Sequence, residues 1–81
     1  MSEQSVHTLD QVRIGERAVV DTLAGEPALV QRLFELGLFD GEEVEVLAVA
    51  PLGDPIEILC GNSRLSLRRR EAANIRVVIR P

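Results

Sequence analysis

Residues 43–67 decide the fold: Glu43-Val44-Glu45-Val46-Leu47-Ala48-Val49-Ala50, then Pro51-Leu52-Gly53-Asp54-Pro55, then Ile56-Glu57-Ile58-Leu59-Cys60-Gly61-Asn62-Ser63-Arg64-Leu65-Ser66-Leu67. The first run alternates cleanly as far as Val46 and then turns apolar on both faces. A strand of that kind is either covered by a helix or bent around a corner. In the middle run two prolines fix φ, and Gly53 permits a turn angle that other residues resist. The last run alternates again, with Ile56, Ile58 and Cys60 on one face. Gly61-Asn62 closes a tight hairpin into a strand whose inward side is Leu65 and Leu67. Three antiparallel strands in 25 residues, joined by short turns, make the chain mainly β.

Outward from this centre the signals are weaker. Pro27 to Leu36 reads as a helix: Leu29, Leu33 and Leu36, flanked by Val30 and Phe34, form one apolar stripe at spacings of three and four. Gln31, Arg32 and Glu35 take the other face, where Arg32 can reach Glu35 across one turn. Pro27 suits the first helical position, and Gly37 suits the left-handed position after the helix. Leu38 can then fold back on Leu33 as a Schellman contact. Asp40-Gly41 is a turn. Arg17–Thr22 and Ile75–Arg80 read as strands, the latter with Ile75, Val77 and Ile79 inward. Arg69–Asn74 allows one helical turn. Residues 1–8 are polar and unpatterned and read as a flexible N-terminal arm, which leaves 9–81 as one domain. Five short strands and one helix predict a small, strongly curved β-barrel, since closure buries the alternating faces and removes free edges.

Composition narrows the function. The chain has 81 residues, net charge −4, two Phe, no Tyr or Trp, one Cys and one His. Residues 1–60 carry three Arg against twelve acids, net −9; residues 61–81 carry six Arg against Glu71 alone, net +5. A single Cys makes no internal disulfide, and the N-terminus lacks the charged and apolar regions of a signal peptide. The expected location is therefore a reducing cytoplasm. The longest apolar run is far shorter than the roughly 20 residues that cross a bilayer, so direct membrane insertion is not expected.

Catalytic chemistry is poorly supplied. His7 lies in the arm, Ser63 and Ser66 have no histidine partner in the ordered region, and no enzyme is expected. Cys60 sits on the apolar phase of its strand and reads as a buried core thiol, with a reactive or ligating role as the alternative. Metal-ligand spacings are missing; Glu42, Glu43 and Glu45 could meet a cation, but Glu43 and Glu45 are better read as an exposed strand face. Arg68-Arg69-Arg70 is the sharpest polar feature. Phosphate binding by a small barrel is one reading, but the negative net charge and the lack of stacking aromatics argue against nucleic acid, with both Phe residues expected in the core. A solvated charge run, or pairing within the chain to the acid-rich half, is the leading reading, with a protein-partner patch next. Val78 and Leu59, on outward phases, leave self-association open.

Residues 9 to 79 resemble the FeoA family, small cytoplasmic proteins of bacterial ferrous-iron uptake. The resemblance rests on Arg32-Leu33, Glu35-Leu36-Gly37-Leu38, Gly41, Ala50-Pro51-Leu52-Gly53-Asp54-Pro55-Ile56, Leu65-Ser66-Leu67-Arg68, Glu71-Ala72 and Ile75-Arg76-Val77. It implies an SH3-like β-barrel of about five strands with one inserted α-helix. It also implies a non-enzymatic accessory role, with the cytoplasmic GTP-binding region of a FeoB-type ferrous-iron transporter as partner, and it carries over no catalytic residue. A similar module ends the iron- and manganese-dependent repressors, but no DNA-binding helices precede it here. The candidate partner-binding residues are Arg32, Leu52, Asp54, Arg68 and Arg69: Leu52 as an apolar tip on a preordered loop, the arginines as contacts to an acidic surface. No cofactor is expected. The alternative functions are a regulatory domain that responds to a transition-metal ion, Fe²⁺ or Mn²⁺, and a small nucleic-acid-binding barrel.

Overall fold

Strict alternation becomes strict burial in the central hairpin. Along Ile56–Cys60 (β4) every second side chain is buried: Ile56, Ile58 and Cys60. Its neighbour Ser63–Leu67 (β5) pairs with it from Cys60 opposite Ser63 to Ile56 opposite Leu67, and buries Leu67. On the other side β4 pairs with Glu43–Val49 (β3), which buries Val44 and Val46. The computed structural model describes residues 5–80.

The remaining elements are Ser5–Thr8 (β1), a single 3-10 turn at Leu9–Gln11, Arg17–Leu23 (β2), Pro27–Glu35 (α1), Arg69–Ala72 (α2) and Ile75–Arg80 (β6). All pairings are antiparallel, in the order β1-β6-β2-β3-β4-β5. The helix ends as its sequence dictates. Gly37, at φ +95°, donates its N–H to Phe34 O (2.9 Å), and Leu38 N–H reaches Leu33 O (3.1 Å). Leu33 and Leu38 are both fully buried, so the Schellman turn seats α1 on the sheet.

Two expectations need correction here. The sheet is not a closed barrel: it has six strands, not about five, and among the described residues no ladder joins edge strand β1 to edge strand β5. Register shifts between Val20 and Thr22 in β2, and between Val46 and Ala48 in β3, bend it. The doubly apolar part of β3 that suggested a barrel corner does bend, but the ring does not close. Segments outside the sheet complete the enclosure instead. Leu9 from the 3-10 turn, Leu33 and Leu38 from the helix and its cap, and Ala72 from α2 are all fully buried in the same core as Val20, Ile58, Ile75 and Val77. With the core sealed this way, the free edges are guarded by brevity (four residues in β1, five in β5) and by an exposed Arg64.

The arm is the second correction. Ser5–Thr8 pairs with β6, Ser5 opposite Ile79 through Thr8 opposite Arg76, so the expected arm of residues 1–8 is a strand over its second half. Residues 1–4 lie outside the described residues. No helix among the described residues is long and apolar enough to cross a membrane.

Candidate docking surface

The loop between β3 and β4 is built by local constraint. Gly53 adopts φ +89°, a region that side chains with a Cβ rarely visit, and its N–H bonds Ala50 O (2.7 Å). Ala50 N–H in turn bonds Pro55 O (3.0 Å) and closes the base. Between these anchors Leu52 projects into solvent, 96% exposed. An apolar side chain held that far out on a braced loop exposes surface that a partner can bury with little further ordering cost.

Arg69 fastens this loop to the rest of the fold. Its Nε donates to Gly53 O (2.8 Å) and its Nη1 to Asp10 O (2.9 Å), while its backbone N–H donates to Asp54 Oδ1 (3.0 Å). Asp54 therefore satisfies one of the free N–H groups at the start of α2. Two residues singled out as partner contacts, Asp54 and Arg69, thus use one carboxylate oxygen and two guanidinium nitrogens within the chain.

Arg32 and Arg68 meet at Glu71. Glu71 is 7% exposed, the one buried charged residue among those described. One carboxylate oxygen accepts the Arg68 N–H (2.9 Å) and the other accepts the Arg32 guanidinium. Arg32 pairs with Glu71, 39 residues away, rather than with Glu35 as expected from helix spacing. The buried carboxylate needs full pairing, and α2 brings it within reach of Arg32 on α1. The Arg32 side chain remains half exposed, and the Arg68 side chain points to solvent.

All five candidates therefore lie along one seam: Arg32 on α1, through Glu71 to Arg68, then Arg69 to Asp54 and the Leu52 tip. Glu71 and the Asp10 carbonyl were not among the candidate residues read from the sequence. Glu71 had a usable signal, an acid three residues after Arg68 at the start of a helical turn. The Asp10 carbonyl had none.

Other expected features fall elsewhere. Phe34 and Phe39 are 46% and 48% exposed, with ring centroids 5.4 Å apart, rather than in the core; aliphatic side chains fill that space, and Phe34 faces away from the helix stripe. Val78 and Leu59 are half-buried. Cys60 is a buried thiol near Gly37 O (3.6 Å) and Glu42 Oε1 (3.9 Å). Burial, and then the adjacent Glu42 carboxylate, push its pKa up, opposite to an activated nucleophile. Among the described residues no three His, Cys, Asp or Glu side chains gather in a way that would hold a metal ion.

A family model described as the FeoA domain matches residues 7–79. The Fe(2+) transport protein A/Fe(2+) transporter FeoB fusion protein of Porphyromonas gingivalis strain W83 is 33% identical over 69 residues, 85% of this chain. Those residues span 8% of the fusion protein's length. The solution structure of FeoA from Chlorobium tepidum superposes with a TM-score of 0.86 at 46% identity, covering 91% of this chain and 70% of that one. FeoA of Stenotrophomonas maltophilia, complexed with zinc, superposes with a TM-score of 0.76 at 35% identity, covering 86% and 87% of the two chains. The chain belongs to the FeoA domain family.

Proposed function

We propose that this chain is a non-enzymatic accessory protein of ferrous-iron uptake that works by docking on the cytoplasmic GTP-binding region of a FeoB-type transporter. The observation that carries the reading is the Porphyromonas gingivalis fusion, in which a FeoA-type segment and a FeoB transporter form one polypeptide. Covalent joining keeps two modules at high effective concentration, which suits partners that otherwise bind weakly. The surface supports a docking role: Leu52 offers an apolar anchor on a loop already fixed by Gly53 and Arg69, and the exposed Arg68, next in sequence to Arg69, has no ion pair among the described residues.

In this reading the residues divide their work. Leu52 is the anchor that a partner pocket buries, while Asp54 and Arg69 hold the loop in the conformation that presents it. Arg32 and Arg68 form a charged rim, which guides orientation and association rate more than it adds affinity. The site of action is the cytoplasmic face of the membrane, reached through the partner. A pull-down with immobilised cytoplasmic region, run without nucleotide, with GDP and with a non-hydrolysable GTP analogue, tests this. Retention in at least one state is expected; no retention in any of the three overturns the reading.

A further inference from the structure

The open sheet leaves β5 with a free edge whose hydrogen-bonding groups and charges point to one kind of ligand. The two-residue turn Gly61-Asn62 sets Cys60 opposite Ser63, so the pairs Cys60/Ser63, Ile58/Leu65 and Ile56/Leu67 exchange the ladder hydrogen bonds with β4. The intervening residues, Arg64 and Ser66, turn their N–H and C=O groups away from β4. Both are exposed, and among the described residues no backbone bond outside the ladders engages them. Strand period places Arg64, Ser66 and then Arg68 on the solvent face of this edge. Arg64 has one partner, Glu57 at 3.4 Å, an exposed pair of little energetic consequence. The Arg68 guanidinium forms no ion pair among the described residues.

We propose that the β5 edge accepts an extended acidic segment of a protein partner as a seventh strand, its backbone pairing with Arg64 and Ser66 and its carboxylates meeting Arg64 and Arg68. Strand addition of this kind draws affinity from main-chain hydrogen bonds and selectivity from alternate side chains. The charge pattern favours an acidic strand over a second copy of this chain. A two-fold pairing of β5 with itself about Ser66 sets Arg64 opposite Arg68 of the other copy, where like charges repel; one about Leu65 sets Arg64 opposite Ser66, which gives neither copy's arginines a carboxylate to meet. The edge is also continuous with the docking loop, because β5 runs through Arg68 into Arg69, which binds Gly53 and Asp54. The inference rests on the docking reading above only for which protein carries the segment.

Amide exchange on the ¹⁵N-labelled chain tests it, using three probes. These are a ten-residue peptide alternating Glu with Val, the same peptide with Lys for Glu, and the purified cytoplasmic region of a FeoB-type transporter. The expected result is at least tenfold slower exchange at Arg64 and Ser66 with the Glu peptide and none with the Lys peptide. Ser66→Pro removes an outward N–H and leaves the β4 ladder its donors, so the Glu peptide no longer protects the remaining Arg64 amide while the circular dichroism spectrum stays native. If that variant does not fold, Arg64→Glu with Arg68→Glu replaces it and reverses the preference toward the Lys peptide. No protection by the Glu peptide, or equal protection by both peptides, overturns the proposal. Transporter binding that leaves Arg64 and Ser66 unprotected also overturns it while docking itself stands. Protection by the Glu peptide without any transporter binding supports the edge and overturns the docking reading.

Discussion

Replacing Arg69 with alanine separates a side chain that holds the docking loop from one that touches a partner. The substitution removes two guanidinium bonds, to Gly53 O (2.8 Å) and Asp10 O (2.9 Å), and leaves the backbone bond to Asp54 in place. Hydrogen bonds to a charged donor contribute ~1.5–3 kcal/mol when shielded; for an exposed arginine a value of ~1 kcal/mol each is appropriate. The loss is then ~2 kcal/mol, and at ~4–8 °C per kcal/mol for a domain of this size the melting temperature falls by ~8–16 °C. Because Arg69 joins the 51–55 loop to the segment after β1, its loss also frees the loop, and the Gly53 amide, bonded to Ala50 O, exchanges faster. Arg69→Lys restores about half of the lost stability, since one ammonium reaches one carbonyl and not two. Thermal melts followed by circular dichroism, together with amide exchange at Gly53, read both effects. An Arg69→Ala protein that melts within ~2 °C of the parent, with unchanged exchange at Gly53, would refute the assignment of Arg69 as the fastener of this loop.

Substitutions at Glu71 and Leu52 address the rest of the seam, and one at Cys60 addresses the core. Glu71→Gln keeps an acceptor for the Arg68 N–H and loses the charge facing Arg32, so it costs ~1 kcal/mol; Glu71→Ala loses both and costs ~2–3 kcal/mol, measured by urea denaturation. Equal costs would show that the Arg68 bond contributes nothing. Leu52→Ala leaves stability within ~0.5 kcal/mol, because nothing in the fold covers that side chain. Cys60 gives a pH signature. The fold holds its thiol pKa above the ordinary value of 9.0, so above that pH the unfolded chain binds fewer protons than the native one and stability declines as pH rises. Cys60→Ala removes that part of the alkaline decline, which denaturation curves between pH 7 and pH 10 reveal as a flatter profile than the parent's.

What could be read in advance followed from the range of the interaction that sets it. In β4 and in the turn after α1 the determining residues are neighbours: Ile56, Ile58 and Cys60 carry their own period, and Gly37 with Leu38 carry their own cap. The loop from Pro51 to Pro55 was legible for the same reason, and Leu52 is exposed as its tip position implied. Strand β1 was not legible. Four residues hold no clear period, and Ser5–Thr8 become a strand only because β6, some 70 residues later, offers them an edge. Closure failed as an inference because alternation within strands reports which face is buried and is silent on which edges meet; here Leu9, Leu33 and Ala72 seal a sheet that stays open. Arg32 shows the same limit in a side chain. Local spacing offers Glu35, but the buried carboxylate of Glu71 has the greater need of a cation and takes it. Arg69 read as a partner contact and holds the loop instead, since its partners Gly53 and Asp10 lie 16 and 59 residues away.

Calorimetric titration of the cytoplasmic GTP-binding region of a FeoB-type transporter with the parent chain and with Leu52→Ala, side by side, tests the central claim most directly. The account predicts saturable binding by the parent and ~10–100-fold weaker binding by the variant, because burying a fully exposed leucine is worth ~1.5–3 kcal/mol. Saturable binding with identical affinities for the two proteins would contradict the assignment of Leu52 as the anchor, and absence of binding by the parent in every nucleotide state would contradict docking altogether.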